Sequence, residues 1–243
     1  MSAIIKRELS SYFRSANGYV FLGIFYLFSG FYFFLTSLYS NSSSLVYLFN
    51  CLFTIILFTI YLLTMRLLSE EKKQKTDQLL LTAPVSVVEI TLGKYISALI
   101  MYLISISITL IYAIVISFFV MPDIPVIIGS FLGLFLFGAA LIAVGLFLSS
   151  LTENQFIAAI LGVAVSLFIM FCDGLSKLVK SEFVNNILSY MSFSNHYGNF
   201  SMGIIGLSDV VFFLSIIVVF LFLTVRVLDR RRFNWKEWNY EQI

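Results

Sequence analysis

Apolar runs of about 20 residues recur along almost the whole chain, separated by short polar breaks. They extend from Tyr19 to Leu38, about Leu45 to Leu67, about Lys94 to Val120, about Val126 to Ser149, about Gln155 to Cys172 and about Asp209 to Leu228. At 1.5 Å per residue, a run of this length crosses roughly 30 Å of hydrocarbon, so each predicts a spanning helix. The breaks carry turn chemistry: a serine-rich stretch from Ser40 to Ser44, two prolines in Met121-Pro122-Asp123-Ile124-Pro125, and the polar Ser150 to Asn154. In the last of these, Thr152 is the expected helix cap and Glu153 suits the positive end of the helix that follows. Gly129, Gly133, Gly138 and Gly145 line the fourth run at spacings that predict close helix packing.

Three stretches break the pattern. Residues 1–15 place Ile5, Leu9, Tyr12 and Phe13 on one side of a helical wheel and Lys6, Arg7 and Arg14 on the other, which predicts an amphipathic helix lying at the membrane surface. Residues 69–91 form the one long polar connection between spans and are expected in water. Residues 173–208 are too polar to span and too apolar for an ordinary exposed loop. One or two short helices dipping into the membrane fit them best. The expected fold is therefore an all-α membrane protein of six transmembrane helices in a single domain covering residues 1–243.

Composition supports this. Sixty per cent of the 243 residues are hydrophobic, 12% are charged and mean hydropathy is +0.99, where a soluble domain has roughly a quarter of its residues charged. The net charge of +2 is too small to suggest a nucleic-acid partner. Of the 15 Lys and Arg residues, Lys6, Arg7, Arg14, Arg66, Lys72, Lys73, Lys75, Lys94, Arg226, Arg230, Arg231, Arg232 and Lys236 fall on one side if the spans alternate, leaving Lys177 and Lys180 on the other. That bias predicts both termini and the 69–91 segment in the cytoplasm. The first apolar stretch is too long for the core of a secretory signal and is expected to be retained.

Candidate chemistry is sparse. Gly93-Lys94 is the nearest approach to a phosphate-cradling loop, but Tyr95 follows it and Val88 stands where the first glycine belongs, so ATP hydrolysis is not expected from this chain. His196 is the single histidine, and no His, Cys and carboxylate cluster has ligand spacing, so neither a metal nor a catalytic site is expected. Cys51 and Cys172 read as small apolar side chains, with a disulfide as the alternative. None of the six runs carries an ionisable residue near its centre, which disfavours an ion-coupled carrier.

The informative motif is Glu70-Glu71-Lys72-Lys73-Gln74-Lys75-Thr76-Asp77-Gln78-Leu79-Leu80-Leu81-Thr82-Ala83-Pro84-Val85-Ser86, read as a charged turn, a short amphipathic helix and a proline stop. Leu79, Leu80 and Leu81 would stand exposed on a cytoplasmic segment unless a partner or the membrane surface covered them. The segment resembles the coupling region of ABC type-2 transporter permeases, particularly the short bacterial branch that includes the gliding-motility permease. The shared pattern is an acidic start (Glu70, Glu71), Thr76, Leu80-Leu81 before Pro84-Val85-Ser86, and Gly93-Lys94 opening the third span. Lys6-Arg7-Glu8-Leu9 with Tyr12-Phe13 is similar to the family's connecting helix, Phe200 to Gly203 with Asp209-Val210-Val211 to the approach to its last span, and Arg231-Arg232 to its tail. The family usually has Gly before the Thr, where this chain has Lys75.

The resemblance implies a permease subunit of an ABC transporter in a bacterial inner membrane. It would pair with a second permease, identical or related, and be driven by two separate ATPase subunits that bind ATP and Mg, leaving this chain without a cofactor. It implies that residues 70–83 enter the ATPase, with Glu70 and Glu71 meeting basic side chains, Leu79 to Leu81 filling an apolar groove, and Thr76 and Pro84 also among the ATPase-coupling residues, while Lys6, Arg7 and Arg14 support the docking. Residues 173–208 would be outward re-entrant helices. An extracytoplasmic accessory protein is left open. Aromatic residues crowding the first span suit lipid contact, a dimer seam or an amphiphilic substrate, and export of such a substrate is the expected activity. ATP-driven envelope or gliding-type machinery and a non-transporting membrane scaffold or channel component are the alternatives.

Overall fold

In a hydrocarbon solvent every backbone N–H and C=O needs a partner within the chain, and a helix provides it locally. The computed structural model describes residues 1–39, 45–76, 85–119, 121, 123–176, 190 and 192–240, and every regular element among them is helical. A surface helix α1 (Ser2–Arg14) leads into α2 (Ala16–Phe33), whose last turns, Phe34–Tyr39, widen to π geometry. Then come α3 (Val46–Thr64), the short α4 (Ser69–Lys73), α5 (Val87–Ile106), α6 (Ile108–Ser117), α7 (Ile124–Leu151), α8 (Gln155–Ser176), α9 (Phe193–Ser201) and α10 (Leu207–Tyr240).

Among the described residues, six stretches are long and apolar enough to span a membrane: Ala16–Tyr39, Val46–Lys73, Val87–Ser117, Ile124–Leu151, Gln155–Gly174 and Leu207–Arg232. The count agrees with the sequence pattern, but the third span starts at Val87, seven residues ahead of Lys94. Its start is fixed by a capping box: Ser86 accepts from the Glu89 N–H at 3.2 Å while the Glu89 carboxylate accepts from the Ser86 N–H at 3.3 Å. The third span is interrupted at Ser107, between α5 and α6. There Ser105, Ser107 and Thr109 donate back to the carbonyls of Tyr102, Leu103 and Ile106, a pattern that bends helices. The cap of α8 is Asn154 rather than Thr152, because the Asn154 amide oxygen accepts from Phe156 N–H at 2.9 Å while Thr152 turns its hydroxyl to the Asn154 carbonyl.

The fourth span, α7, is the column around which the others pack: 67% of its apolar window is buried, against 11% for the sixth span. Its small residues make room. A Cβ on Gly133 would lie 2.6 Å from Phe200 of α9, one on Gly138 2.1 Å from the Tyr102 ring of α5, and one on Gly145 2.2 Å from the Thr64 hydroxyl of α3.

Close approach lets tyrosine hydroxyls reach carbonyls of neighbouring helices, whose second lone pairs are still available. Tyr102 donates to Leu134 O at 2.6 Å, Tyr95 to Ala139 O at 3.2 Å, Tyr26 to Ile104 O at 3.2 Å and Tyr197 to Phe49 O at 3.1 Å. Such bonds between helices in lipid contribute about 0.6 kcal/mol each on average. Toward α9 the contact turns aromatic, with Phe53 stacked between Phe137 at 4.2 Å and Tyr197 at 4.7 Å. Cys51 and Cys172 are both free thiols.

Packing this close predicts that Gly138→Ala destabilises the protein by about 1–3 kcal/mol, read as a lower thermal unfolding midpoint in detergent. Gly23→Ala, where an added Cβ meets nothing within 4 Å, is expected to leave the midpoint unchanged or slightly higher.

Candidate functional site

The charges converge at one end of the bundle, where α1, α4, the starts of α5 and α8 and the end of the sixth span meet. Helix α1 lies across the start of α5, so close that a Cβ on Gly93 would touch Ile4 at 2.9 Å. Its inward stripe is Ile4, Ile5, Glu8, Leu9 and Tyr12, and the Tyr12 hydroxyl donates to Leu63 O at 3.1 Å. Burial pushes the Tyr12 phenol well up, so it stays a neutral donor. Of the apolar side expected to enter the membrane surface, Ile5, Leu9 and Tyr12 pack on protein, while Phe13 remains exposed.

Inside this junction sits Lys94, only 1% exposed. The capping box at Ser86 places it two turns within α5, and its ammonium meets Glu71 at 2.9 Å and Glu8 at 3.2 Å. Arg7 reaches the same two carboxylates, at 2.7 Å from Glu8 and 2.8 Å from Glu71. The four charges sum to zero and tie together three segments far apart in sequence: α1, α4 and α5. Burial pushes the Glu8 carboxyl up, but Lys94 and Arg7 outweigh it and hold its pKa below the ordinary glutamate range. Burial likewise works against the Arg7 charge, and Glu8 and Glu71 outweigh it in turn. A cavity of about 40 Å³, room for about a single water, adjoins the cluster between Tyr12, Ser15, Leu63 and Arg66.

The root of the 69–91 segment is fastened with equal care. Ser149 of α7 accepts the N–H groups of Leu68 and Ser69, both at 3.0 Å, and donates to Met65 O, so a side chain from another span satisfies the opening of α4. Lys72 is buried and donates to Ser150 O. Glu70 holds Arg66 in a two-pronged pair at 2.5 and 2.6 Å. The helix then stops in a Schellman turn, with Thr76 N–H on Glu71 O at 3.0 Å and Lys75 N–H on Lys72 O at 3.1 Å. Lys75 therefore sits at φ +57°, the left-handed conformation that glycine adopts freely.

The structure thus brings Glu70, Glu71, Thr76 and Arg7 into one junction. Lys6 and Arg14 stay on the exposed side of α1. Leu79, Leu80, Leu81 and Pro84 lie outside the described residues. Glu70 and Glu71 are each paired within the chain rather than presented as loose charges. Two partners, Glu8 and Lys94, were not singled out as a pair by sequence reasoning; the Ser86-Val87-Val88-Glu89 capping box was the signal that would have carried Lys94 inside the helix. Nearby, Arg231 pairs with Glu153 at 3.1 Å and Arg232 donates to Val85 O at 3.4 Å, closing the sixth span onto the same end.

At the far end, His196 of α9 lies 2.6 Å from Asp209 and stacks on Phe212 at 4.1 Å, and Asn199 donates to the other Asp209 oxygen at 3.0 Å. Ser192 caps α9 by accepting from Asn195 N–H. Of the 173–208 stretch, residues 177–189 and 191 lie outside the described residues. Helix α9, which is described, packs its Phe200 against Gly129 and Gly133 of α7.

Two variants test the junction. Lys94→Met leaves two carboxylates sharing Arg7 alone and is expected to destabilise by about 3 kcal/mol; adding Glu71→Gln is expected to recover part of that, a coupling above ~0.5 kcal/mol in a double-mutant cycle on the unfolding midpoint. Lys75→Gly relieves a left-handed side-chain penalty of about 1–2 kcal/mol, less the backbone entropy of glycine of about 0.5–1 kcal/mol. It is expected to raise the same midpoint.

Comparison with curated proteins yields no match. Residues 35–228 match the model of a protein family described as ABC-2 family transporter protein. That stretch covers most of the chain and runs from the end of the first span to the end of the sixth, taking in the root of α4 and the buried Lys94. With six apolar helices of spanning length around that junction, the chain is a multi-pass membrane protein belonging to the ABC-2 transporter family, the membrane permease component of an ABC transporter.

Proposed function

We propose that this chain is one half of the membrane-spanning part of an ABC exporter, pairing with a second permease and driven by two ATPase subunits that dock at the basic end of the bundle. The family implies an ABC ATPase partner in general. The observation that carries the docking site is the fastening of the 69–91 segment. Its root is held by Ser149, by the Arg66–Glu70 pair and by the four-charge junction, so a displacement of residues 77–84 would be handed to α1 and α5 together. The bias of Lys and Arg toward this end supports a cytoplasmic placement in a bacterial inner membrane, with both termini on that side.

The roles divide. Glu70 and Glu71 act as braces, since their carboxylates are already paired, while Leu79, Leu80 and Leu81 supply the apolar contact with the ATPase. Thr76 and Pro84 bound the segment, and the exposed Lys6 and Arg14 support docking from α1. The ATPase subunits bind ATP and Mg; this chain contributes no cofactor site to the reading. Helix α9 beside α7 supports an outward re-entrant arrangement for residues 173–208.

Between the first two spans lies a mostly apolar recess of about 340 Å³, lined by Phe28, Tyr32, Cys51, Thr54, Ile55, Phe58 and Thr59. Its lining suits an amphiphilic or hydrophobic substrate better than a small polar one.

With the ATPase co-expressed, Leu80→Ala is expected to cut the stimulation of ATP hydrolysis by the permease several-fold with an unchanged unfolding midpoint. Glu71→Ala is expected to lower both. ATPase activity in reconstituted vesicles and thermal unfolding measure the two effects. Full stimulation in Leu80→Ala would refute the leucine contact, and failure of any ATPase to co-purify would favour a non-transporting scaffold.

A further inference from the structure

The four arginines at the end of the sixth span divide between two faces. Arg231 and Arg232 turn onto the protein, to Glu153 and to Val85 O. Arg226 and Arg230, four residues apart and therefore stacked on one face of α10, turn the other way, and both are exposed. They line a recess of about 580 Å³ with Leu223 and Val227 of the same stripe, Asp229, and Phe147 of α7.

Several observations say what this recess takes. Leu223, Arg226, Val227 and Arg230 alternate apolar and basic positions along the helix, so an acyl chain along Phe147 and Leu223 would continue into a charged head at the arginines. Arg226 lies six residues before Arg232, where the candidate span ends, about 9 Å deeper at 1.5 Å per residue. At that depth a guanidinium facing lipid calls for an anion or an aromatic face. Arg226 has the latter in part, with its guanidinium carbon 5.1 Å from the centre of the Phe222 ring. Among the described residues neither Arg226 nor Arg230 makes an ion pair.

Two arginines and Asp229 give the recess a net charge of +1, the complement of one phosphodiester. A carboxylate beside a phosphate site is repulsive unless the bound head offers it a donor, and a glycerol hydroxyl is such a donor.

We propose that this recess is a binding site for an anionic phospholipid with a hydroxyl-bearing headgroup, its phosphate on Arg226 and Arg230, its hydroxyl on Asp229 and one acyl chain along Phe147 and Leu223. The site is independent of the ATPase reading and of the substrate path. It lies at the membrane surface on the basic end, beside but separate from the four-charge junction.

The test uses the full chain, purified in mild detergent after exposure to mixed phosphatidylglycerol, phosphatidylethanolamine and phosphatidylcholine, with retained lipid counted by native mass spectrometry. Phosphatidylglycerol is expected to be enriched about fivefold over the other two, the gain from one net positive charge near the surface. Arg226→Gln with Arg230→Gln should remove the enrichment, and Arg226→Lys with Arg230→Lys should keep most of it, which separates lost charge from lost folding.

Asp229→Asn should narrow the preference for phosphatidylglycerol over a phosphatidic acid probe, which has no headgroup hydroxyl donor beyond its phosphate. Unchanged enrichment in the glutamine variant would overturn the site. Equal retention of phosphatidylethanolamine would overturn the headgroup assignment, and complete displacement by inorganic phosphate would reduce the site to an anion contact without the acyl groove. An intermolecular disulfide formed in membranes by Arg226→Cys, with Cys51→Ala and Cys172→Ala, would put a second copy of the chain there instead and would also overturn it.

Discussion

An ammonium removed from water needs carboxylates around it, and Lys94 meets two of them, Glu8 from α1 and Glu71 from α4. The penalty of burying a charge of this kind is several kcal/mol before pairing, so neither α1 nor α4 is free to leave its place. If α1 lifted away, Glu8 would go with it and Lys94 would keep one carboxylate; if the root of the 69–91 segment unwound, Glu71 would go instead. Arg7 touches both acids and makes the two losses interdependent. The surface helix, the polar segment and the third span therefore behave as one mechanical unit, although 63 residues separate Glu8 from Glu71 by their numbering. Tyr12, hydrogen-bonded to Leu63 O, adds the second span to that unit.

Much of the architecture was legible because hydrocarbon imposes a coarse constraint. Apolar length sets the spans, and the six runs map onto the six spans with ends shifted by up to seven residues. The shifts have local causes that composition does not register. Ser86 and Glu89 start the third span early by capping it, and serine and threonine at positions 105, 107 and 109 donate back to the helix where it is interrupted. Asn154 captures the cap expected at Thr152 because its amide oxygen lies two residues ahead of the Phe156 N–H and accepts from it. The glycines of the fourth span were legible as packing sites, but which neighbour each one admits was not. Gly138 receives a tyrosine ring and Gly145 a threonine hydroxyl, and that choice depends on the angles at which spans cross.

The junction was only half legible. An acidic start to the polar segment and a basic surface helix were apparent from the residues, and the natural expectation was that both faced a partner. The structure instead spends Glu70 on Arg66 and Glu71 on Arg7 and Lys94. Sequence reading sees charge but not its pairing, because the partners here come from positions 7, 8 and 94 and meet only after the helices have packed. The departure at Lys75 is a similar case. A lysine stands in place of the glycine expected there, yet the backbone adopts the left-handed position and the Schellman hydrogen bonds with it. The surrounding fixings outweigh the side-chain penalty of about 1–2 kcal/mol, which means the turn is dictated by Ser149, Lys72 and Glu71 rather than by residue 75.

That ordering of strengths bears on how the bundle would respond to a load. Helix α5 carries Lys94 near one end and Tyr102 two turns further on, where the ring fills the notch at Gly138 and the hydroxyl holds Leu134 O. Three residues beyond begins the serine and threonine stretch where the helix is interrupted. A force applied to Glu71 would therefore reach a helix that is clamped at its start, pinned at mid-length and softened after the pin. Motion would be confined to the clamped part relative to α7 or would appear beyond Ser107, and the fourth span, buried over most of its length, would supply the fixed reference. The far end is built differently, from stacked aromatic rings and from Asp209 gripped by His196 and Asn199. Packing of these rings resists shear there, and the two ends of the bundle are joined along α7 and α5.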